Sequence, residues 1–275
     1  MNWREALGPE LSAEVLWSAS DNPLPDGDIA RLFNAAENIH KTAHFIEFYE
    51  RTFRSYRDRP IRMLEIGVAC GGSLELWRQY FCPEATVVGV DGNPQCAQFD
   101  DPSRNKYVRI GQQQDINFLK QLVEELGPFD IILDDGSHLP SYTLKTFRHM
   151  FLHGMNKSGI YLVEDLEWCY MPCGREPFKN EIDCNDGSPT FTNFIKILID
   201  VMHEHYERAQ PENTDAFQAE HPDRMSAVTV PLITTLIDQI DLSDGIVAIH
   251  KKPRDLPRLL FKTGEEFLKQ WLAAD

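Results

Sequence analysis

The chain has 275 residues, 42% of them hydrophobic, which is enough for one large α/β domain with a buried core. Its formal charge of −16, from 27 Lys and Arg against 43 Asp and Glu, excludes nucleic acid as the main partner, because neutralising phosphates needs clustered cations. No apolar run approaches the ~20 residues of a membrane span, and the first turns carry acids instead of a secretion signal, so a soluble, cytoplasmic protein is expected. The six cysteines, Cys70, Cys82, Cys96, Cys169, Cys173 and Cys184, have no secretory context and are expected as free thiols. The last three lack the second half of a zinc motif.

From Asn2 to Asp58 the pattern is helical, as LSAEVLWSA and then DIARLFNAAENIHKTAHFIEFYERTFRSY, separated by the turn-rich DNPLPDGD. Residues 1–60 therefore read as an N-terminal helical extension to a main domain over 61–275. His40, His44 and Tyr49 lie among apolar neighbours and read as packing or surface groups.

RMLEIGV, from Arg62, is a short apolar strand that runs into ACGGSLELWRQYF, where Leu74, Trp77 and Phe81 have helical spacing. Gly67, Gly71 and Gly72 let the backbone approach a ligand closely, and Ser73 is placed to cap the helix. The spacing G-x-x-x-G-G departs from the dinucleotide pattern G-x-G-x-x-G. The next strand, ATVVGVD, ends in Asp91, twenty residues after Gly71, where an acid can bind ribose hydroxyls. A third strand, Lys106 to Ile110, leads to Gln113 and Asp115. Asp115 is suited equally to capping the following helix and to accepting from an adenine amino group.

Two further apolar strands end in adjacent acids, FDIILDDGSH from Phe129 and GIYLVED from Gly159. In a parallel sheet these acids converge on the carboxyl edge, where open α/β sheets hold ligands. Asp135, Glu164 and Asp165 offer hard oxygen ligands suited to Mg²⁺ or a similar cation, and His138, one turn from Asp135, is placed to move a proton. The plainer reading makes Asp135, Ser137 or Ser141 a helix cap, which leaves Glu164 and Asp165 unexplained.

The helix TLKTFRHMFLHGM carries His149 and His153 on one face, as ordinary helix histidines. MPCGREPFKNEIDCNDGSPT, about residues 170–190, reads as a lid over the acid-bearing edge. Phe191 to Arg208 is an amphipathic helix with Phe194, Ile195, Leu198, Ile199 and Met202 on one stripe. After the polar excursion AQPENTDAFQAEHPDRM, LIDQIDL and GIVAIHKK flank Ser243-Asp244-Gly245 as an antiparallel hairpin.

Through LEIGVACGGS, VVGVDGNP and the terminal hairpin, the chain resembles the class I S-adenosylmethionine-dependent methyltransferases over about Arg62 to Lys252. The combination of LEIGVxxGGS, IILDDGSH and YLVEDLE is similar to the metal-dependent O-methyltransferases of sugars on macrolides, polyketides and glycolipids, with the cephalosporin hydroxylase family as a related group. That resemblance implies a Rossmann-like α/β fold, a mostly parallel seven-stranded sheet with a C-terminal antiparallel hairpin and an N-terminal helical segment. It implies Asp135, Glu164 and Asp165 as Mg²⁺ ligands and His138 as general base. It also implies S-adenosylmethionine contacts from Glu65, Gly67, Asp91, Gln113 and Asp115, and Gly71, Ser73 and Asp134 are expected to bind the cofactor with them. One departure is Gln112, where relatives more often have an acid. The acceptor would be a glycoside or other small molecule, and the protein a dimer or tetramer joined through its helical N-terminal segment.

Three competing readings make different demands. A dinucleotide-dependent oxidoreductase would use Gly67 to Gly72 for pyrophosphate and leave both acid pairs idle. A non-catalytic S-adenosylmethionine-binding accessory protein would need no metal. An O-methyltransferase acting on a non-sugar diol, such as a catechol, would share the site and differ only in the acceptor.

Overall fold

A strand covered by helices on both faces must bury both parities of its side chains, and Met63, Leu64, Glu65 and Ile66 are all buried in β1 (Arg62–Ile66). The structure, a computed structural model, describes residues 3–18, 23–170, 190–208 and 228–257. β1 pairs in parallel with β2 (Thr86–Asp91) on one side and β4 (Phe129–Asp134) on the other. β3 (Lys106–Ile110) joins outside β2, and β5 (Met155–Val163) outside β4. β7 (Ile246–Lys251) runs antiparallel to β5, and β6 (Ile237–Ser243) closes the sheet beside it, giving the order β3-β2-β1-β4-β5-β7-β6. The terminal hairpin is where the sequence places it, turning at Gly245 with φ 72°.

One face of the sheet, through Met63, Val87, Ile131 and Leu162, packs on α2 (Asp28–Ala35), α3 (Ala43–Phe53) and α4 (Gly72–Tyr80). Tyr49 and Phe53 of α3 meet the Trp77 ring of α4 edge-on, with centroids 5.3 and 5.5 Å away. The other face, through Leu64, Val88, Ile132 and Tyr161, packs on α5 (Ile116–Leu126), α6 (Pro140–His149) and α7 (Phe191–Arg208).

The N-terminal segment differs from its sequence reading. α1 (Trp3–Leu11) ends where LSAEVLWSA was expected to be helical, and Val15, Leu16 and Trp17 are exposed, so that stretch has no surface on which to bury an apolar stripe. The long expected helix is two, α2 and α3, separated by an extended Ala36 and by Asn38 at φ 57°. This break is packed backbone to backbone: a side chain on Gly72 would meet the carbonyl oxygens of Glu37 and Asn38.

Other differences are smaller. α6 stops at His149 and gives way to a single π turn, Met150–Gly154, so β5 begins at Met155, ahead of the expected Gly159. The His149 and His153 rings do share a face, 5.2 Å apart. In α7 the buried row is Phe191, Ile195 and Leu198, with Ile199 on its exposed flank. Cys70, Cys82, Cys96 and Cys169 are free. Cys173, Cys184, the polar excursion and all of the expected lid except Tyr170 and Thr190 lie outside the described residues. No helix among the described residues is long and apolar enough to cross a membrane.

Candidate active site

Each of four neighbouring strands is followed by a glycine, Gly67 after β1, Gly92 after β2, Gly111 after β3 and Gly136 after the Asp134-Asp135 pair of β4. Together with Ile66, Asp91 and Gln113 they line a cleft of about 230 Å³ at the carboxyl edge, where the strand order reverses. Gly67 holds φ 96°, and a side chain there would run into the carbonyl oxygen of Asp135, so only glycine fits this crossing of β1 and β4.

Asp91 organises the glycine turn from below. Its Oδ2 accepts from the amides of Val68 and Ala69 at 2.9 and 3.0 Å, and its Oδ1 accepts from Asn93 at 2.7 Å. Ser73 does not cap α4, whose N-cap is Gly71. Its hydroxyl instead donates to Glu65 Oε2 at 3.0 Å, while Trp77 Nε1 donates to Glu65 Oε1 at 3.1 Å. Burial pushes the Glu65 carboxyl up to about 7 against the pull of Lys41. Asp115, for which two roles were open, is the N-cap of α5 and accepts from the amides of Asn117 and Phe118.

Gln113 and Asp134 form a buried brace between the two halves of the edge. The Gln113 amide donates to Asp134 Oδ1 at 3.1 Å, its oxygen accepts from Ser137 N at 2.6 Å, and Tyr161 donates to Asp134 Oδ2 at 3.1 Å. Burial still raises the Asp134 carboxyl to about 6. Asp134 thus faces this brace and does not line the glycine-rimmed cleft; it borders a small pocket with His138, Glu164 and Asp165.

Next to the cleft, Asp135, His138 and Asp165 each offer one donor atom, and these atoms lie within 4.8 Å of one another. His138 Nε2 is 3.6 Å from Asp165 Oδ2 and 4.0 Å from Asp135 Oδ1. The His138 ring lies parallel to the indole of Trp168, which belongs to the 3-10 turn Leu166–Cys169. His138 and Asp165 both sit at φ 57°, a conformation costly for residues with a side chain and concentrated where function over-determines the backbone. Asp135 does not cap α6, which has no side-chain cap. Burial, then the neighbouring Asp135 carboxylate, hold the Asp165 carboxyl above its usual range.

Glu164 stands apart from this trio because both of its oxygens are engaged. Oε1 accepts from Lys41 Nζ at 2.8 Å and Oε2 from the Tyr49 hydroxyl at 2.5 Å. The same ammonium reaches Asp135 Oδ2 at 2.5 Å, and the Lys41 side chain is only 4% exposed. Burial alone would lower the Lys41 pKa, but Glu164, Asp135 and Glu65 outweigh it and hold the amine protonated. Burial raises Glu164 to about 8 despite that ammonium, since one lysine faces several carboxylates.

Lys41 carries no signal in the sequence, lying in the irregular link before α3, and Tyr49 reads there as packing. The apolar spacing of α3 does mark the face on which Tyr49 is buried, but not the carboxylate that its hydroxyl meets. His44 bonds the Asp244 carbonyl at 2.6 Å, and His40 is exposed, as packing and surface roles require.

No protein-family model matches the chain. Among curated proteins, it is 34% identical to mycinamicin VI 2''-O-methyltransferase of Micromonospora griseorubida over 180 residues, 62% of this chain and 42% of that protein. It is 33% identical to L-olivosyl-oleandolide 3-O-methyltransferase of Streptomyces antibioticus over 210 residues, 73% of this chain and 52% of that protein. The chain thus spans about half the length of the curated relatives it matches. Among solved structures, it superposes with TM-score 0.66 and 24% identity on the MycE methyltransferase in complex with Mg, SAH and mycinamycin VI, covering 92% of this chain and 60% of that one. The chain has the class I methyltransferase fold and is related in sequence to sugar O-methyltransferases of macrolide and tetracenomycin pathways.

Proposed function

We propose that this relative of the sugar O-methyltransferases transfers a methyl group from S-adenosylmethionine to a hydroxyl of a glycosylated small molecule, with a divalent cation held at the acid cluster. The observation that carries the reading is the joining, at one sheet edge, of a glycine-rimmed cleft on Asp91 with the cluster of Asp135, His138 and Asp165.

The residues present fit both groups. The backbone rim of Gly67, Gly92, Gly111 and Gly136 leaves the cleft open to a nucleoside, and one oxygen of Asp91 keeps lone-pair capacity for a ribose hydroxyl. Asp135 and Asp165 lie close enough to share one ion, Glu164 beside them would complete the hard-oxygen set that Mg²⁺ prefers, and the ammonium lodged between Asp135 and Glu164 supports a site that takes positive charge. When bound, S-adenosylmethionine supplies an electrophilic methyl on sulfur, and the cation a positive centre that orients a hydroxyl and makes it more acidic.

The chain's own residues then have defined tasks. The glycine turn and Asp91 fix the donor in the cleft. His138 Nε2 takes the proton as the acceptor oxygen bonds to the methyl carbon and the carbon–sulfur bond breaks. Asp165, 3.6 Å away, steadies the imidazolium so formed, and Trp168 covers one side of the ring. A largely apolar hollow of about 240 Å³ between Leu166, Ile195 and Leu242 shares Leu166 with the pocket that Glu164 and Asp165 line, and supports an acceptor with an apolar aglycone.

In the same reading the protein is cytoplasmic and homo-oligomeric, and residues 1–60 extend a methyltransferase domain over 61–275. The test is turnover with a panel of macrolide and polyketide glycosides, with and without chelator. Chelator should abolish methylation and added Mg²⁺ restore it. Full activity in excess chelator, or transfer only to catechols, would overturn the metal or the sugar part respectively.

A further inference from the structure

The Lys41 ammonium donates hydrogen bonds to the two carboxylates, Asp135 and Glu164, that the proposed function gives to a divalent cation. Its stem comes from the link between α2 and α3, whereas the two carboxylates follow β4 and β5. Nothing in the methyl transfer above uses it. A buried ammonium with 4% exposure needs such partners, and a buried Glu164 with 1% exposure needs a counter-charge.

We propose that Lys41 is the built-in counter-cation of the metal-free site, and that a divalent cation binds there by taking Asp135 and Glu164 away from it. The inference rests on the metal reading of the site given above. Three features carry it. The lysine holds one oxygen of each carboxylate, so a cation using those carboxylates as a chelating pair must displace the ammonium or share them with it. A dication and an ammonium on the same two carboxylates repel each other within a few ångströms in a medium of low polarity. The remaining Glu164 oxygen is fixed by Tyr49, which leaves the oxygen held by Lys41 as the one a cation would recruit.

Two consequences follow for the protein itself. Without a metal, Lys41 would offset part of the charge of the acids, on Asp135 and Glu164, so loss of the cation would not leave that pair without a counter-charge. Cation affinity is set below what the acids alone would give, because binding must break two charge-assisted hydrogen bonds.

The experiment is calorimetric titration of Mn²⁺ and of Mg²⁺ into the metal-stripped full chain, wild type against Lys41→Met, which keeps the stem and removes the charge. Thermal unfolding is followed in parallel with chelator and with saturating metal. Lys41→Met should bind the cation at least tenfold more tightly, unfold at a lower temperature in chelator, and recover most of that loss when metal is added. In the wild type, acetylation of Lys41 followed by mass spectrometry should accelerate when metal is present, because the amine is released. Equal or weaker cation affinity in Lys41→Met, or Lys41 acetylation unchanged by metal, overturns the displacement while leaving the metal site standing. Cation binding to neither protein overturns both the displacement and the metal reading. If Lys41→Met does not fold even with metal, the labelling result on the wild type decides.

Discussion

The imidazole of His138 and the indole of Trp168 lie parallel, their planes 6° apart and their centroids 5.8 Å distant. The backbone at His138 is left-handed, and the ring presents Nε2 toward Asp165 and Asp135. His138→Ala should retain cation and cofactor binding and lose about 10²- to 10⁴-fold in kcat, with partial recovery as pH rises and hydroxide replaces the base. Trp168→Ala should lose less and show the same cofactor affinity. Steady-state kinetics across pH 6 to 9 checks both, and wild-type turnover by His138→Ala at neutral pH would remove the histidine from the mechanism.

Asp91 braces the glycine turn through the amides of Val68 and Ala69 and its own following loop through that of Asn93, so its removal should act on the donor cleft and spare the acid cluster. Asp91→Ala should weaken S-adenosylmethionine binding by about 1.5 to 3 kcal/mol, the range for hydrogen bonds to a charged acceptor. Calorimetry measures this directly. Tight NAD binding by the wild type, with none for S-adenosylmethionine, would instead point to the oxidoreductase alternative.

Gly67→Ala combines a left-handed backbone with a collision against the Asp135 carbonyl, and cannot be relieved by rotating a side chain. Urea unfolding should show a loss of roughly 2 to 4 kcal/mol, with the m-value unchanged. The variant should also displace Asp135 and so weaken cation binding. A loss within experimental error would mean that β1 and β4 separate easily at this edge.

Asp134 predicts a pH signature. Its pKa is raised from 3.8 to about 6 by burial, so the folded state holds this proton more tightly than the unfolded chain does. Between those values the native state binds more protons, and this group's contribution to stability is therefore present below about pH 4 and lost as pH rises toward 6. Asp134→Asn keeps the shape and removes the titration. Comparing the two proteins by thermal unfolding, the variant should gain on the wild type from pH 4 to pH 6 and then keep a constant offset. Parallel curves across that range would show that Gln113 and Tyr161 already compensate the charge.

Most of the sheet was legible because its strands are buried on both sides. β1, β2, β3 and β4 are apolar runs ending in glycine or acid, a pattern that few other environments allow. The hairpin was legible through Ser243-Asp244-Gly245 for a similarly local reason. The N-terminal third was less so, since LSAEVLWSA has helical composition but nothing to pack on, and propensity without burial does not hold a helix. In the site, the convergence of Asp135, His138 and Asp165 was legible because each lies within four residues of the end of β4 or β5. Lys41 could not, because it lies 94 residues from Asp135 and 123 from Glu164, in a link whose course depends on Gly72 accepting the backbone of Asn38. Ser73 and Asp115 are hard to tell apart in sequence on the same ground: each is a good cap by type, and only the neighbours decide. Glu65 draws Ser73 inward, whereas Asp115 has free amides in reach.

The contact of Gly72 with the link that carries Lys41 joins two sites by one wall. α4 begins at the turn that borders the donor cleft, and its first residue supports the backbone of Glu37 and Asn38, three residues before Lys41. Donor and cation therefore cannot be thermodynamically indifferent to each other if either one moves that wall. Whatever factor the donor imposes on the affinity for the cation, the cation must impose on the affinity for the donor, so the order of loading carries no energetic preference of its own.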